Sequence, residues 1–167
     1  MYKKIIVPLD GSELAECVLP HVETIAGGCG VEEVVLVRAA EPFYMPAGEA
    51  VFTDAEIKEM EDRHEAGARD YLAKIAKRVS PGGARVDTVV LTGDGKKATR
   101  VTSTVRISAA DMLVDYVKSS GADLVVISSH GRSGISRWVF GSVADRLLRG
   151  ACVPVMMVRA PGCETGI

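Results

Sequence analysis

Short aliphatic runs alternate along this chain with longer stretches in which apolar positions recur every three or four residues. The short runs are Lys4 to Leu9, Glu33 to Val37, Val86 to Leu91, Leu124 to Ile127 and Val153 to Val158. Runs of this length, apolar between their ends, are the mark of strands in a parallel sheet covered on both faces. After the first run, Leu14, Val18, Val22 and Ile25 fall at helical spacing. Ser12 is a good N-cap for that helix, Glu13 and Glu16 favour its first turns, and Gly27-Gly28 is expected to end it. Pro20 inside the pattern predicts a kink or a local break near Glu16 to Val18. Thr53 caps a long helix from Asp54 to about Val79 with a dense charged, solvated face, and Ser80-Pro81-Gly82-Gly83 stops it. Ser108 caps a third helix over Ala109 to Ser120, and a last one is expected from Ser142 to about Arg149.

Strands therefore alternate with helices, and right-handed crossovers turn that order into a doubly wound parallel sheet. In such sheets ligands sit beyond the carboxyl ends of the strands, where the strand order reverses. The first and fourth strands are the candidates for that place, and their carboxyl ends are Pro8-Leu9-Asp10 and Ile127-Ser128. Two segments break the pattern. Ala39 to Phe52, with Pro42, Pro46 and Gly48, is expected to be irregular, and a loop of that length is more often functional or mobile than plain connection. Residues 94–106 carry Lys96, Lys97, Arg100 and Arg106 with no acid after Asp94, and read as an exposed insertion holding a small hairpin. The tail from Ala160 to Ile167 is expected to fray.

Bulk properties narrow the function classes. A chain of 167 residues is enough for one domain with a real core. A net charge of −2 argues against a nucleic-acid binder that works through a broad basic face. No apolar run reaches the roughly 18 residues needed to span a bilayer. Met1 to Pro8 reads as a first strand and not as a signal peptide, so a cytoplasmic protein is expected. Cys17, Cys29, Cys152 and Cys163 have no C-x-x-C spacing and no histidine at a zinc-finger distance, and are expected to be reduced thiols.

Chemistry concentrates between Ile127 and Ser142. This glycine- and serine-rich stretch leads from an apolar strand into a helix. Backbone N–H groups at a helix N-terminus, with the helix dipole behind them, hold phosphate in parallel α/β sheets. Arg132 and Arg137 add positive charge but read as exposed loop charges rather than dedicated phosphate clamps, His130 reads as a loop histidine hydrogen-bonded to backbone rather than a phosphate contact, and Trp138 and Phe140 are expected to pack against the sheet or a partner. The loop lacks the Gly-Lys-(Ser/Thr) of a P-loop, so Walker-type ATPase chemistry is not implied.

Taken together, these residues resemble the universal stress protein family over nearly the whole length. The resemblance rests on Ile5-Ile6-Val7-Pro8-Leu9-Asp10-Gly11-Ser12, on Gly121-Ala122-Asp123-Leu124-Val125-Val126, on the glycine loop, and on Pro154-Val155-Met156-Met157-Val158. Members that hold ATP carry Gly-x2-Gly-x9-Gly-(Ser/Thr). Gly131, Gly141 and Ser142 fit that pattern, and Ser128 stands where its first glycine would be. The resemblance implies a five-stranded parallel sheet of order 3-2-1-4-5 with helices on both faces, of the adenine nucleotide alpha hydrolase-like kind, over residues 1–160 with a tail at 161–167. It implies that Asp10 contacts the adenosine portion, that Pro8 and Ala39 line the adenine pocket, and that Ile127 packs near base or ribose. It implies that Gly131, Gly141, Ser142 and Val143 surround the phosphates, beside Ser128. The implied ligand is ATP or another adenine nucleotide, with Mg2+, and the implied assembly is a homodimer through Val153 to Val158.

Three functions stay open at this level. The first is a nucleotide-binding stress-response or signalling module without useful turnover, because no nucleophile–base pair and no carboxylate cluster for two metals is evident. The second is a dimeric interaction protein of the same fold that binds no nucleotide, which Ser128 favours. The third is a slow ATP hydrolase acting as a switch. Ser128 is compatible with the first if its backbone is ordinary β, and interferes if its φ is positive.

Overall fold

The computed structural model describes residues 2–41, 53–93, 108–130 and 141–159. Among them lie β1 (Lys4–Pro8), α1 (Glu13–Glu16), α2 (Leu19–Cys29), β2 (Glu33–Ala40), α3 (Asp54–Arg78), β3 (Arg85–Thr92), α4 (Ala109–Ser119), β4 (Leu124–Ser128), α5 (Ser142–Gly150) and β5 (Val155–Val158). The strands form one parallel sheet in the order β3-β2-β1-β4-β5, as the sequence led us to expect.

Alternation along the strands splits the core in two. Ile5, Val7, Val34, Leu36 and Val126 face α1, α2 and α3, where Val18, Val22, Leu72 and Ile75 cover them. Ile6, Val35, Val37, Val125 and Ile127 face α4 and α5, where Leu113, Val117 and Leu147 cover them. Helices therefore occupy both faces.

Local chemistry explains the helix boundaries, including those that differ from expectation. The first helical stretch breaks at Cys17 and Val18, and Pro20 sits in the first turn of α2, where its missing N–H costs nothing. Gly27-Gly28 does not end that helix. The helix runs on to Cys29 and stops at Gly30, whose φ of 65° puts it in the left-handed region and turns the following Val31 N–H back to the Ala26 carbonyl at 3.3 Å. Thr53 and Glu56 cap α3 reciprocally, with the Thr53 N–H donating to Glu56 at 2.7 Å. Ser108 caps α4 by accepting from the Asp111 N–H.

All five strands differ from expectation at an end: β3 is longer by one residue at each end, and β4 by one at its carboxyl end. β2 continues past Val37 because Arg38, Ala39 and Ala40 pair with Val90, Leu91 and Thr92 of β3, so Ala39 and Ala40, expected to be irregular, belong to the strand. β1 ends at Pro8, although the Leu9 N–H still donates to the Val37 carbonyl. β5 begins at Val155 and not at Val153, since Pro154 has no N–H and contributes only its carbonyl, to Val125. Cys17 and Cys29 are half-buried and Cys152 is exposed; none of the three forms a disulfide. The expected hairpin in 94–106, the loop aromatics Phe43 and Tyr44, the stretch from Gly131 to Phe140, and the tail lie outside the described residues.

Candidate functional site

The site begins where β1 and β4 part. Their paired register covers only Ile5 with Leu124 and Ile6 with Val125, although β1 runs on to Pro8 and β4 to Ser128. Beyond the parting strands lies a crevice of about 380 Å³ at the carboxyl edge of the sheet. This is the point at which the strand order reverses. Pro8, Asp10, Ala39, Ile127, Ser128, Gly141, Ser142 and Val143 all line it. Gly131, expected beside them, lies outside the described residues, as do Arg132, Arg137, Trp138 and Phe140.

Asp10 leaves β1 and turns the chain into α1. Its Oδ1 accepts from the Ser12 N–H at 2.9 Å and from the Ser12 hydroxyl at 2.6 Å, while Ser12 Oγ accepts from the Ala15 N–H at 3.2 Å. Asp10 is thus a turn-former as well as a crevice carboxylate. Between Asp10 and Ser12, Gly11 has a φ of 92°, a conformation that side chains rarely adopt.

The opposite wall is made by β4 and α5. Ser128, only 5% exposed, is the last residue of β4 and pairs with Val158. Its φ is not positive, so its backbone is not one that needs glycine. Its hydroxyl donates to the His130 carbonyl at 2.5 Å. Ser129 donates its N–H to Val158 and lies with Oγ 3.0 Å from His130 Nδ1, while its carbonyl accepts from the Gly141 N–H. Gly141 is the N-cap of α5 and has no side chain to occupy the first-turn N–H groups that follow it. Its φ is −55°, and an added Cβ would meet the Ser129 carbonyl oxygen at 3.4 Å, an ordinary contact. Among the described residues, nothing requires a glycine at this position.

A third wall joins β2 to α4. Glu41 accepts from the Ala109 N–H at 3.0 Å and lines the crevice with Ala109 and Leu113. Sequence reasoning missed Glu41, Ala109 and Leu113, and also Leu9, Ala15, Ser129 and Ala144. The Ser108 cap placed a helix N-terminus at Ala109, but nothing local placed that terminus beside β2. Among the described residues no group of three His, Cys, Asp or Glu side chains gathers to hold a metal ion, and no helix is long and apolar enough to cross a membrane.

A doubly wound parallel sheet with helices on both faces and a crevice at its switch point, between a helix N-terminus and a carboxylate turn, defines the α/β class of this protein. Residues 1–159 match the universal stress protein family, and the chain belongs to it. A universal stress protein of Methanocaldococcus jannaschii is 28% identical over 166 residues, covering 98% of this chain and 86% of the relative. The solved structure of the universal stress protein UspA from Lactobacillus plantarum superposes with a TM-score of 0.73 at 20% identity, over 95% of this chain and 98% of that one. A universal stress protein in complex with cAMP gives 0.61 at 19% identity, over 95% and 97% of the two chains. A family member from Arabidopsis thaliana with AMP bound gives 0.59 at 16% identity, over 98% and 95%. At these identities the structures establish the fold.

Proposed function

We propose that the crevice binds an adenine nucleotide, ATP in the first instance, and that the protein is a nucleotide-binding stress-response module without useful turnover. The observation that carries this reading is Gly141: a glycine that neither its own φ nor any neighbour among the described residues requires, placed at the mouth of a helix N-terminus. Open N–H groups backed by a helix dipole suit phosphate oxygens. A missing Cβ there leaves room for close approach. The two crevice carboxylates, Asp10 and Glu41, stand on the other walls, and both would repel phosphate. They orient the nucleotide with its phosphates toward Ser142 and Val143 and its adenosine toward Pro8, Asp10 and Ala39. Mg2+ would arrive on the phosphates, carried by their own oxygens. Relatives of the same fold bound to cAMP and AMP support the adenine class.

Ser128 is accommodated in this reading because its ordinary backbone and inward hydrogen bond leave no obstruction of the kind a positive φ would create. We propose further that two copies join through the apolar edge of β5, part of the Val153 to Val158 run, whose outer backbone groups pair with no other strand among the described residues.

The test is direct. Purified protein is denatured and removed, and the released nucleotide is identified by chromatography and absorbance. Near-stoichiometric adenine nucleotide is expected. A protein that carries none, and that also shows no heat on titration with Mg-ATP, would overturn the reading and favour the interaction protein of the same fold.

A further inference from the structure

We propose that Arg38 is a positioning residue for the crevice, acting on Asp10 through the Gly11 turn. This rests on the nucleotide reading above. Arg38 lies on β2 in step with Val34 and Leu36, so its side chain leaves the sheet on the α1–α3 face. There its guanidinium lies against Gly11. A Cβ built on that glycine would sit 2.9 Å from Nη1, 3.2 Å from Cζ and 3.3 Å from Nη2. The three distances are nearly equal, so a flat face of the guanidinium is turned toward the glycine. Cζ is also 5.2 Å from the centre of the Tyr71 ring, in cation–π range.

The turn needs such a support. α1 has only four residues, too few to fix its own position through helical hydrogen bonds. It is pinned from α3 instead. The Tyr71 hydroxyl donates to Glu16 Oε1 at 3.2 Å, and Arg78 Nη1 donates to Glu16 Oε2 at 3.0 Å. Burial foremost, then the nearby Glu16 and Asp10 charges, holds the Tyr71 phenol protonated, so it stays a donor. Arg38 completes the set from below. It fills the space under the one residue of the turn that can carry no side chain, and it places a cation beside the carboxylate turn. Its own side chain leaves on the face opposite to the one Ala39 presents, so it would act on the ligand only through the turn.

The experiment is a double-mutant cycle read by calorimetry with Mg-ATP, with thermal unfolding measured in parallel. Arg38→Ala is expected to weaken binding about tenfold in the wild-type background. In the Asp10→Ala background the same change is expected to have less than about a twofold effect, since its route to the ligand is gone. Equal losses in both backgrounds, or no loss in either, would overturn the proposal. A stability change alone cannot produce the background dependence. Should Arg38→Ala fail to fold, Arg38→Lys takes its place. It keeps a cation near Tyr71 but lacks the flat fork, and about a threefold loss confined to the Asp10 background is expected. A wild-type protein that binds no Mg-ATP overturns the nucleotide reading itself, and is recognised before any variant is compared.

Discussion

The two ends of the sheet are built from the same five strands and behave oppositely. At the amino end the strands are stitched together. Asp123 Oδ2 accepts from the N–H groups of Lys3 at 2.8 Å and Lys4 at 2.9 Å, and its own N–H returns to the Lys4 carbonyl. Glu32 and Glu33 both donate their N–H to the Lys3 carbonyl, and Arg85 donates its N–H to Glu32. Glu33 also lies within salt-bridge distance of Lys4 and Arg85. At the carboxyl end β1 and β4 separate, and the polar groups there face a crevice. The amino end spends its polar groups on one another. The carboxyl end presents a helix N-terminus, a carboxylate turn and a glycine that no neighbour among the described residues requires. That asymmetry points to the carboxyl end as the place to look for function, without reference to any relative.

The sharpest way to break the comparison is Gly141→Val. If the glycine serves the ligand, the branched side chain should abolish Mg-ATP binding, a loss of more than about a hundredfold, or roughly 2.7 kcal/mol. Stability should fall by no more than about 1 kcal/mol, the ordinary cost of a poor N-cap. Unchanged affinity in calorimetry would remove the phosphate from α5.

Gly11 supplies the contrast on the facing wall. Its φ of 92°, with the Arg38 guanidinium 2.9 Å from where a Cβ would stand, makes it a glycine that the fold does require. Gly11→Ala should destabilise the protein by about 2 kcal/mol in urea unfolding, within the range for a non-glycine residue forced into such a conformation. A stability loss at Gly141 equal to that at Gly11 would erase the distinction between them.

Asp10→Ala comes next in size. Binding of Mg-ATP should weaken by about tenfold, near 1.4 kcal/mol. The fold should survive, because Ser12 still caps α1 through its own hydroxyl. Loss of folding would reassign Asp10 wholly to the turn it shares with Ser12.

The order 3-2-1-4-5 came with the family resemblance, whereas strand identities were legible because short continuous apolar runs and capped helices are local signals. So were the crevice residues at the ends of β1 and β4, since topology alone puts those ends side by side. Boundaries were less so. Gly27 and Gly28 tolerate helical geometry as readily as a stop, and only the left-handed Gly30 shows where the chain turns away. Glu41 escaped notice because its significance is a tertiary one: its carboxylate meets the Ala109 N–H across 68 residues of sequence. Arg38 was hidden for the same reason. It stands just past the expected strand end at Val37, and its role depends on the glycine of another loop and a tyrosine of α3.

The smallest expected effect lies at the stitched end. The backbone N–H groups of Lys3 and Lys4 hold the Asp123 carboxyl below its ordinary value of 3.8. A carboxyl lowered on folding adds stability above that ordinary value, and the addition is lost as pH falls through the lower folded value. Asp123→Asn keeps an acceptor oxygen but removes the charge. Thermal unfolding should therefore show the wild type about 1–2 °C more stable at pH 6, with the gap closing below about pH 4. Asp111, whose carboxyl is also lowered by Ser108 foremost and then Arg146, is present in both proteins and cancels from the difference. A gap that stays constant from pH 6 to pH 2.5 would mean that the stitching at this end owes nothing to the charge. An added loss of Mg-ATP affinity in Asp123→Asn would mean that the two ends of the sheet are coupled, and that the amino end is more than a seam.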